Sequence, residues 1–499
     1  MVRNPHSQCA VRAVAGHDDG WHAARNDPDG LAWGSCGPLP GYRHPTSGVH
    51  VDLSNGEVTA SVDAVANDHL YAARVHGDAL LLGDSLSAVV SEYQRLQRQR
   101  PSLSEFALYS FLSFGRLFGT PYREIESALP GCTLLWKPGA AMTQKRHWIP
   151  EAQTEPISGA AWWEQALEEI TSTIAGAASY QTVAGEISGG VDSALVASIA
   201  ARVQRQRGCT LIGYTRSHSA FPTASESGYA EAVATWCDIP LIIDEDDSPP
   251  DYAALTTLVD VPTPELTLVQ GWGRRKHRLL AQASAALCLT GHGGDHMFGD
   301  DFAAFLLGAR GGTEVVARFY RWAVWADEWL WPKVQLYYRA KQDVGAAFTF
   351  INSPVEAHWL RVPASPLRQL LQDWLSMWLL PVRDRYSRLQ LLGLLSLWRP
   401  AASGEIRHCH PLATQRVLDL ALFHAHPPQW GFKQRYRAML KTLAGDVLPA
   451  PVRVREGKSM TDAVLTHHLV AEPPTKTPRC STEHKPASPP PFGFGVVGL

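Results

Sequence analysis

Between Val183-Ala184-Gly185-Glu186-Ile187, a short segment of strand character, and Ala194-Leu195-Val196-Ala197-Ser198-Ile199-Ala200, which opens a helix, the chain reads Ser188-Gly189-Gly190-Val191-Asp192-Ser193. Two glycines there let the backbone turn tightly and offer its N–H groups to a ligand, while the helix points the positive end of its dipole at the same spot. Such a loop binds phosphate. The hydroxyls of Ser188 and Ser193 add donors, and Asp192 can hold Mg²⁺ that screens phosphate charge. No lysine stands where a Walker loop needs one, so the loop suits the pyrophosphate released from ATP better than a γ-phosphate in transfer. Read alone, the stretch could be a plain turn; its place between strand and helix favours the ligand loop.

The flanking sequence predicts the frame. Thr210-Leu211-Ile212-Gly213-Tyr214 reads as a second strand, Tyr229 to Trp236 as a helix, Pro240-Leu241-Ile242-Ile243 as a third strand, and Leu279 to Ala286 as a helix leading into strand Leu287-Cys288-Leu289-Thr290. This alternation predicts a doubly wound parallel sheet covered by helices. A second loop, Thr290-Gly291-His292-Gly293-Gly294-Asp295-His296-Met297-Phe298-Gly299, follows the last of these strands, at the carboxyl edge where parallel strands form their ligand crevice. Gly293 would let this backbone approach the nucleotide. Asp192 and Asp295 would be paired carboxylates holding Mg²⁺ against a triphosphate. Two unrelated strand-end turns are the plainer alternative.

At 499 residues the chain is long enough for two or three domains. Residues 1–150 carry short apolar runs broken by Gly, Pro, Asp and Asn, the punctuation of strands and turns. Residues 158–471 hold the α/β pattern, whose later part looks helical, with Trp322, Trp325 and Trp329 on about one face; an aromatic core stripe explains these better than a peptide groove. Residues 472–499 include seven prolines without apolar periodicity, the composition of a disordered tail. The formal charge of −3 gives no electrostatic reason to bind nucleic acid. No signal peptide or membrane-spanning apolar run is present, so a cytoplasmic protein without membrane insertion is expected. Eight scattered cysteines lack a Cys-x-x-Cys pair and read as reduced, packed thiols.

Taken together, the two loops resemble those of the asparagine synthetase family, with its Ser-Gly-Gly-x-Asp-Ser and later Gly-x-Gly-x-Asp motifs. The resemblance runs nearly end to end. Asp84 sits in a Gly-Asp-Ser-Leu turn, and Leu129-Pro130-Gly131-Cys132-Thr133-Leu134 is similar to the family's turn before its domain boundary. His410-Pro411-Leu412 through Val417-Leu418-Asp419-Leu420, and Leu448-Pro449 through Lys458, resemble its C-terminal helical region. The resemblance implies a degenerate glutaminase-like α+β sandwich followed by a pyrophosphate-loop synthetase domain with a helical C-terminal part. It also implies an AMP-forming carbon–nitrogen ligase using ATP and Mg²⁺. Glutamine-hydrolysing members expose a cysteine as the residue after the initiator Met; here that residue is Val2, and Cys9 is internal. Glutaminase chemistry is therefore expected to be absent, with the amine arriving on the substrate.

His292 stands where asparagine synthetases have an acidic residue and β-lactam synthetases a tyrosine. A neutral imidazole can take a proton from a nucleophilic amine near pH 7. The Gly-His-Gly-Gly-Asp-His loop resembles that of lasso-peptide cyclases, which join a peptide's N-terminal amine to its own Asp or Glu side chain. That branch implies a lasso precursor (core) peptide as substrate and a leader peptidase as partner. His292 could instead orient Asp295 by hydrogen bonding, and His296 reads as support. Lys458, in Arg453-Val454-Arg455-Glu456-Gly457-Lys458, resembles the family's catalytic lysine, which would stabilise charge on the acyl-adenylate and tetrahedral intermediate. Without the resemblance it is a solvated basic loop. A small-molecule amide or β-lactam synthetase, and a non-catalytic scaffold that binds leader peptide, remain alternatives. Arg274-Arg275-Lys276-His277-Arg278 could contact phosphate or a peptide but reads better as a solvated face, and His408, His410, His424 and His426 lack a metal-binding spacing.

Overall fold

Strands β1 (Val2–Arg3), β2 (Ala10–Val14), β3 (His22–Asp27), β4 (Gly30–Gly34), β5 (Gly48–Val51), β6 (Val58–Ser61), β7 (Tyr71–Val75) and β8 (Ala79–Gly83) precede helix α1 (Leu86–Gln97), and β9 (Ile125–Ser127), β10 (Cys132–Trp136) and β11 (Thr143–Arg146) follow it. The computed structural model describes most of residues 57–148, 159–245, 275–294, 406–423 and 438–455, and strand backbones between 2 and 51. The strands build two sheets, of order β1-β2-β8-β7-β9 and β11-β10-β6-β5-β4-β3. Because side chains alternate across a strand, β7 and β8 must cover two apolar faces. Ala72, Leu80 and Leu82 face the second sheet and pack with Val58, Ala60, Leu134 and Trp136. Tyr71, Ala73 and Leu81 form a second cluster with Leu86, Val89 and Tyr93 of α1. The layers are thus sheet, sheet and helix.

The second half runs α2 (Gly159–Ala177), β12 (Thr182–Glu186), α3 (Val191–Arg207), β13 (Thr210–Ser217), α4 (Ser227–Cys237), β14 (Leu241–Glu245), a helical segment at 275–282, β15 (Leu287–Leu289) and β16 (Arg407–Cys409). Short helices α5 (Gln415–Phe423), α6 (Ala438–Ala444) and α7 (Ala450–Val454) follow. The sheet has the order β14-β13-β12-β15-β16, and all four pairings are parallel. The helix expected over Leu279 to Ala286 starts earlier and gives way to a turn, in which Ser284 takes a φ of 58°. From β12 the chain winds outward through β13 and β14, then returns to the other side of β12 with β15. The loops after β12 and β15 therefore lie side by side at the reversal, where open α/β sheets bind ligands.

Helix α3 is buried along most of its length, including Ala194, Ala197, Ser198, Ala200 and Ala201, so its small side chains let neighbouring layers approach closely. Trp148, which follows β11, belongs to the same core as α2 and α3 and donates its indole N–H to Asp419 Oδ1 at 3.0 Å. Cys132, Cys237, Cys288 and Cys409 are buried free thiols, and Cys209 is half-exposed. Among the described residues no helix is long and apolar enough to cross a membrane. The Trp322, Trp325 and Trp329 stripe, Asp84 and the segment 472–499 lie outside the described residues.

Candidate active site

The loop after β12 is shaped by its own side chains. Gly189 takes the left-handed conformation (φ 72°), and a Cβ there would stand 2.7 Å from Tyr229 Cβ, so only glycine fits. Gly190 caps α3 in an extended conformation with no side-chain capping hydrogen bond. Ser193 is buried; its Oγ donates to the Gly190 carbonyl at 3.1 Å and accepts the Ser188 N–H at 3.1 Å. Its hydroxyl thus ties the turn together, at the position where the sequence reading places a ligand donor. Ser188 is exposed, and Asp192 lies half-buried in the first turn of α3.

The second loop packs onto the first through backbone that only glycine permits. A Cβ on Gly291 would lie 2.5 Å from the Ser193 nitrogen, and one on Gly294 would lie 2.5 Å from Asp192 Oδ1. Gly293, at φ 91°, packs against Ala413, where a Cβ would come within 2.6 Å of the alanine Cβ. Thus Gly189, Gly190, Asp192, Ser193 and the Gly291–Gly294 backbone converge at the sheet's switch point. Asp295, His296 and Lys458 lie outside the described residues.

His292 is exposed at the head of this loop. Its backbone N–H donates to Thr290 Oγ1 at 3.2 Å, and Thr290 Oγ1 lies 2.7 Å from His410 Nδ1. The His292 and His410 rings meet nearly edge-on, with centroids 5.5 Å apart.

Beneath the loops Arg275, Lys276 and His277 turn toward the protein, contrary to the reading of their run as a solvated face, while Arg278 is exposed and Arg274 lies outside the described residues. Arg275 donates to Asp244 Oδ1 at 2.5 Å, and Tyr214 OH donates to Asp244 Oδ2 at 2.7 Å. Lys276 Nζ lies 3.3 Å from Glu186 Oε2 and 3.0 Å from His408 Nε2, and buried His277 accepts the Ile406 N–H at its Nδ1, 2.9 Å away. Strand register explains the gathering: Glu186 ends β12, and Cys288 pairs with His408 across β15 and β16. Glu186, Cys288 and His408 have their potential ligand atoms within 4.8 Å of one another. The Lys276 ammonium reaches both Glu186 and His408, and burial pushes the Cys288 thiol up to about 12. Burial would raise the Glu186 carboxyl, but Lys276, His292 and His408 outweigh it and hold it at about 2. Burial, then the Lys276 charge, lowers His277 to about 4 and keeps His408 neutral.

A polyphosphate needs N–H donors, and a hard divalent cation needs oxygen ligands. The loop supplies both: the uncapped start of α3 and the Asp192 carboxylate beside it. The residues present fit ATP with Mg²⁺, the ion falling to Asp192 and the phosphates to the loop backbone.

A family model for asparagine synthase matches residues 178–476, beginning just before β12 and taking in both glycine loops. The chain belongs to the asparagine synthase family. Members of this family are ATP-dependent, AMP-forming ligases that make amide bonds, and they use ATP, typically with Mg²⁺. No curated protein matches the chain. Among solved structures it is similar to the U34-tRNA thiolase NcsA from Methanococcus maripaludis with its 4Fe-4S cluster, at 12% identity, covering 52% of this chain and 89% of that one with a TM-score of 0.23. That likeness is too slight to carry any argument.

Within this asparagine synthase fold, sequence reasoning gave no role to Glu186, Glu226, Thr290 and Arg455, and it read Lys276 as solvated. Their signal was weak because each acts through partners distant in sequence: Arg455 bonds to Gly189, 266 positions away, and Lys276 approaches His408, 132 away.

Proposed function

We propose that this chain is an ATP-dependent macrolactam synthetase of the lasso-peptide type. The observation that carries this reading is His292, exposed at the head of the second loop and set edge-on to His410, two residues from the Gly294 backbone that packs on Asp192. A group there is suited to taking a proton from an attacking amine. The N-terminal half is read as a degenerate glutaminase-like domain, residues 158–471 as the synthetase and 472–499 as a tail.

In the proposed reaction an Asp or Glu carboxylate of the core peptide attacks the α-phosphorus of ATP, forming the acyl-adenylate and releasing pyrophosphate onto the Ser188–Ser193 loop. The peptide's N-terminal amine then attacks the acyl carbon, its proton passes to His292, and AMP leaves. Mg²⁺, held by Asp192 and Asp295, would screen the phosphate charge. Lys458 would offset negative charge on the tetrahedral carbon. Holding amine and acyl group together removes much of the entropic cost of ring closure. A leader peptidase acting in the same cytoplasmic compartment would supply the peptide.

The test is mass spectrometry of the core peptide incubated with the enzyme, ATP and Mg²⁺. A peptide short by one water, dependent on His292 and lost in Asp192→Ala, is expected. A linear peptide with ATP turned over on small amines would assign a small-molecule synthetase instead, and no pyrophosphate exchange at all would assign a non-catalytic scaffold.

A further inference from the structure

We propose that Arg455 is a positioning residue that locks the pyrophosphate loop to the C-terminal segment leading to Lys458. Arg455 follows α7 and is 7% exposed, so its contacts lie within the protein. One arm of its guanidinium, Nη1, donates to the Gly189 carbonyl at 2.8 Å. The other, Nη2, pairs with the buried carboxylate of Glu226, the residue preceding α4. Its plane lies 4.4 Å over the Tyr229 ring. Glu226 and Tyr229 are also what a Cβ on Gly189 would strike, so the loop, the start of α4 and the end of α7 form one packed joint.

This joint aims a donor. A trans peptide points its C=O and N–H in opposite directions, so fixing the Gly189 carbonyl on Arg455 fixes the Gly190 N–H on the other side. That N–H reaches only Ser188 Oγ within the loop, at 3.4 Å, a long contact that a phosphate oxygen can replace. Gly190 also caps α3, where the helix dipole favours an anion. Arg455 thus orients the donor without touching the ligand, and three positions later the same segment reaches Lys458. A two-armed guanidinium can hold carbonyl and carboxylate together; a lysine ammonium is a single point charge.

The inference rests on the loop being the nucleotide site, not on the peptide. Its test is calorimetric titration of the full chain with Mg²⁺-pyrophosphate and with Mg²⁺-ATP, alongside melting temperatures. Arg455→Lys keeps a cation for Glu226 but loses the fork. The double variant Arg455→Met with Glu226→Met removes both buried charges and strands neither. Both are expected to melt within a few degrees of the parent yet to bind Mg²⁺-pyrophosphate at least about tenfold more weakly, roughly 1.4 kcal/mol. A purely structural role would shift the melting temperature and leave affinity unchanged. Parental affinity in a folded double variant overturns the proposal, and if that variant does not fold, parental affinity in Arg455→Lys overturns it equally. A parent chain that binds no Mg²⁺-pyrophosphate sinks the nucleotide site itself, whereas absence of a cyclised peptide leaves this test untouched.

Discussion

Gly294 lies so close to Asp192 that a Cβ on the glycine would stand 2.5 Å from the carboxylate Oδ1. The side chain proposed to hold Mg²⁺ is therefore placed by a backbone 102 positions away, through contact that no larger residue permits. Gly294→Ala should displace Asp192 and slow ATP–pyrophosphate exchange by about a hundredfold, since a misplacement of about 1 Å costs that much. Gly228→Ala, with nothing within 4 Å of the added carbon, is the control; it should leave exchange intact and raise stability by about 0.5–1 kcal/mol in denaturant titration.

Gly189→Ala faces two penalties, a left-handed φ of 72° and an added carbon 2.7 Å from Tyr229 Cβ. The backbone strain alone costs about 1–2 kcal/mol, and the collision adds to it. Urea unfolding should show a loss at or above that figure, accompanied by weaker Mg²⁺-ATP binding.

His277 predicts a pH dependence. Its folded value is about 4, against an unfolded value of about 6.5. The unfolded chain thus binds the extra proton first, so the stability of the neutral buried ring is complete above about 6.5 and is lost as pH falls through about 4. His277→Asn, which keeps an acceptor for the Ile406 N–H, should flatten the melting-temperature profile between those pH values. An unchanged slope would show that other groups set it.

Glu186 has the same sign in a lower window. Its folded value of about 2 lies below the unfolded value of about 4.3, so its contribution is present above the latter and lost as pH falls toward the former. Lys276→Met removes the nearest cation and should raise the carboxyl, moving the acid-unfolding midpoint followed by circular dichroism to higher pH.

The frame of the second half was legible because each strand is a short apolar run and each glycine loop sits where a strand ends. The Ser188–Ser193 loop and β12, α3, β13, α4 and β14 could be read within a few residues for that reason. Ser193 was harder. Its hydroxyl could serve a ligand or its own turn, and the 3.1 Å bond to the Gly190 carbonyl, invisible in the sequence, shows the second. Lys276 and Arg275 were misread because a run of cations beside a helix normally faces water. Here Glu186 and Asp244, on strands far away in sequence, turn them inward. Arg455 drew no notice because its partners, Gly189 and Glu226, belong to elements more than two hundred positions earlier.

Trp148 changes what it means to divide this protein. The residue closes the N-terminal half, yet its indole is spent inside the other half, beside α2 and tethered to Asp419. A synthetase fragment cut anywhere between 148 and 159 would begin life with a hole the size of an indole in its interior. Whatever its first 148 residues do for a substrate, the sheet that houses the nucleotide loop has an interest in keeping them attached.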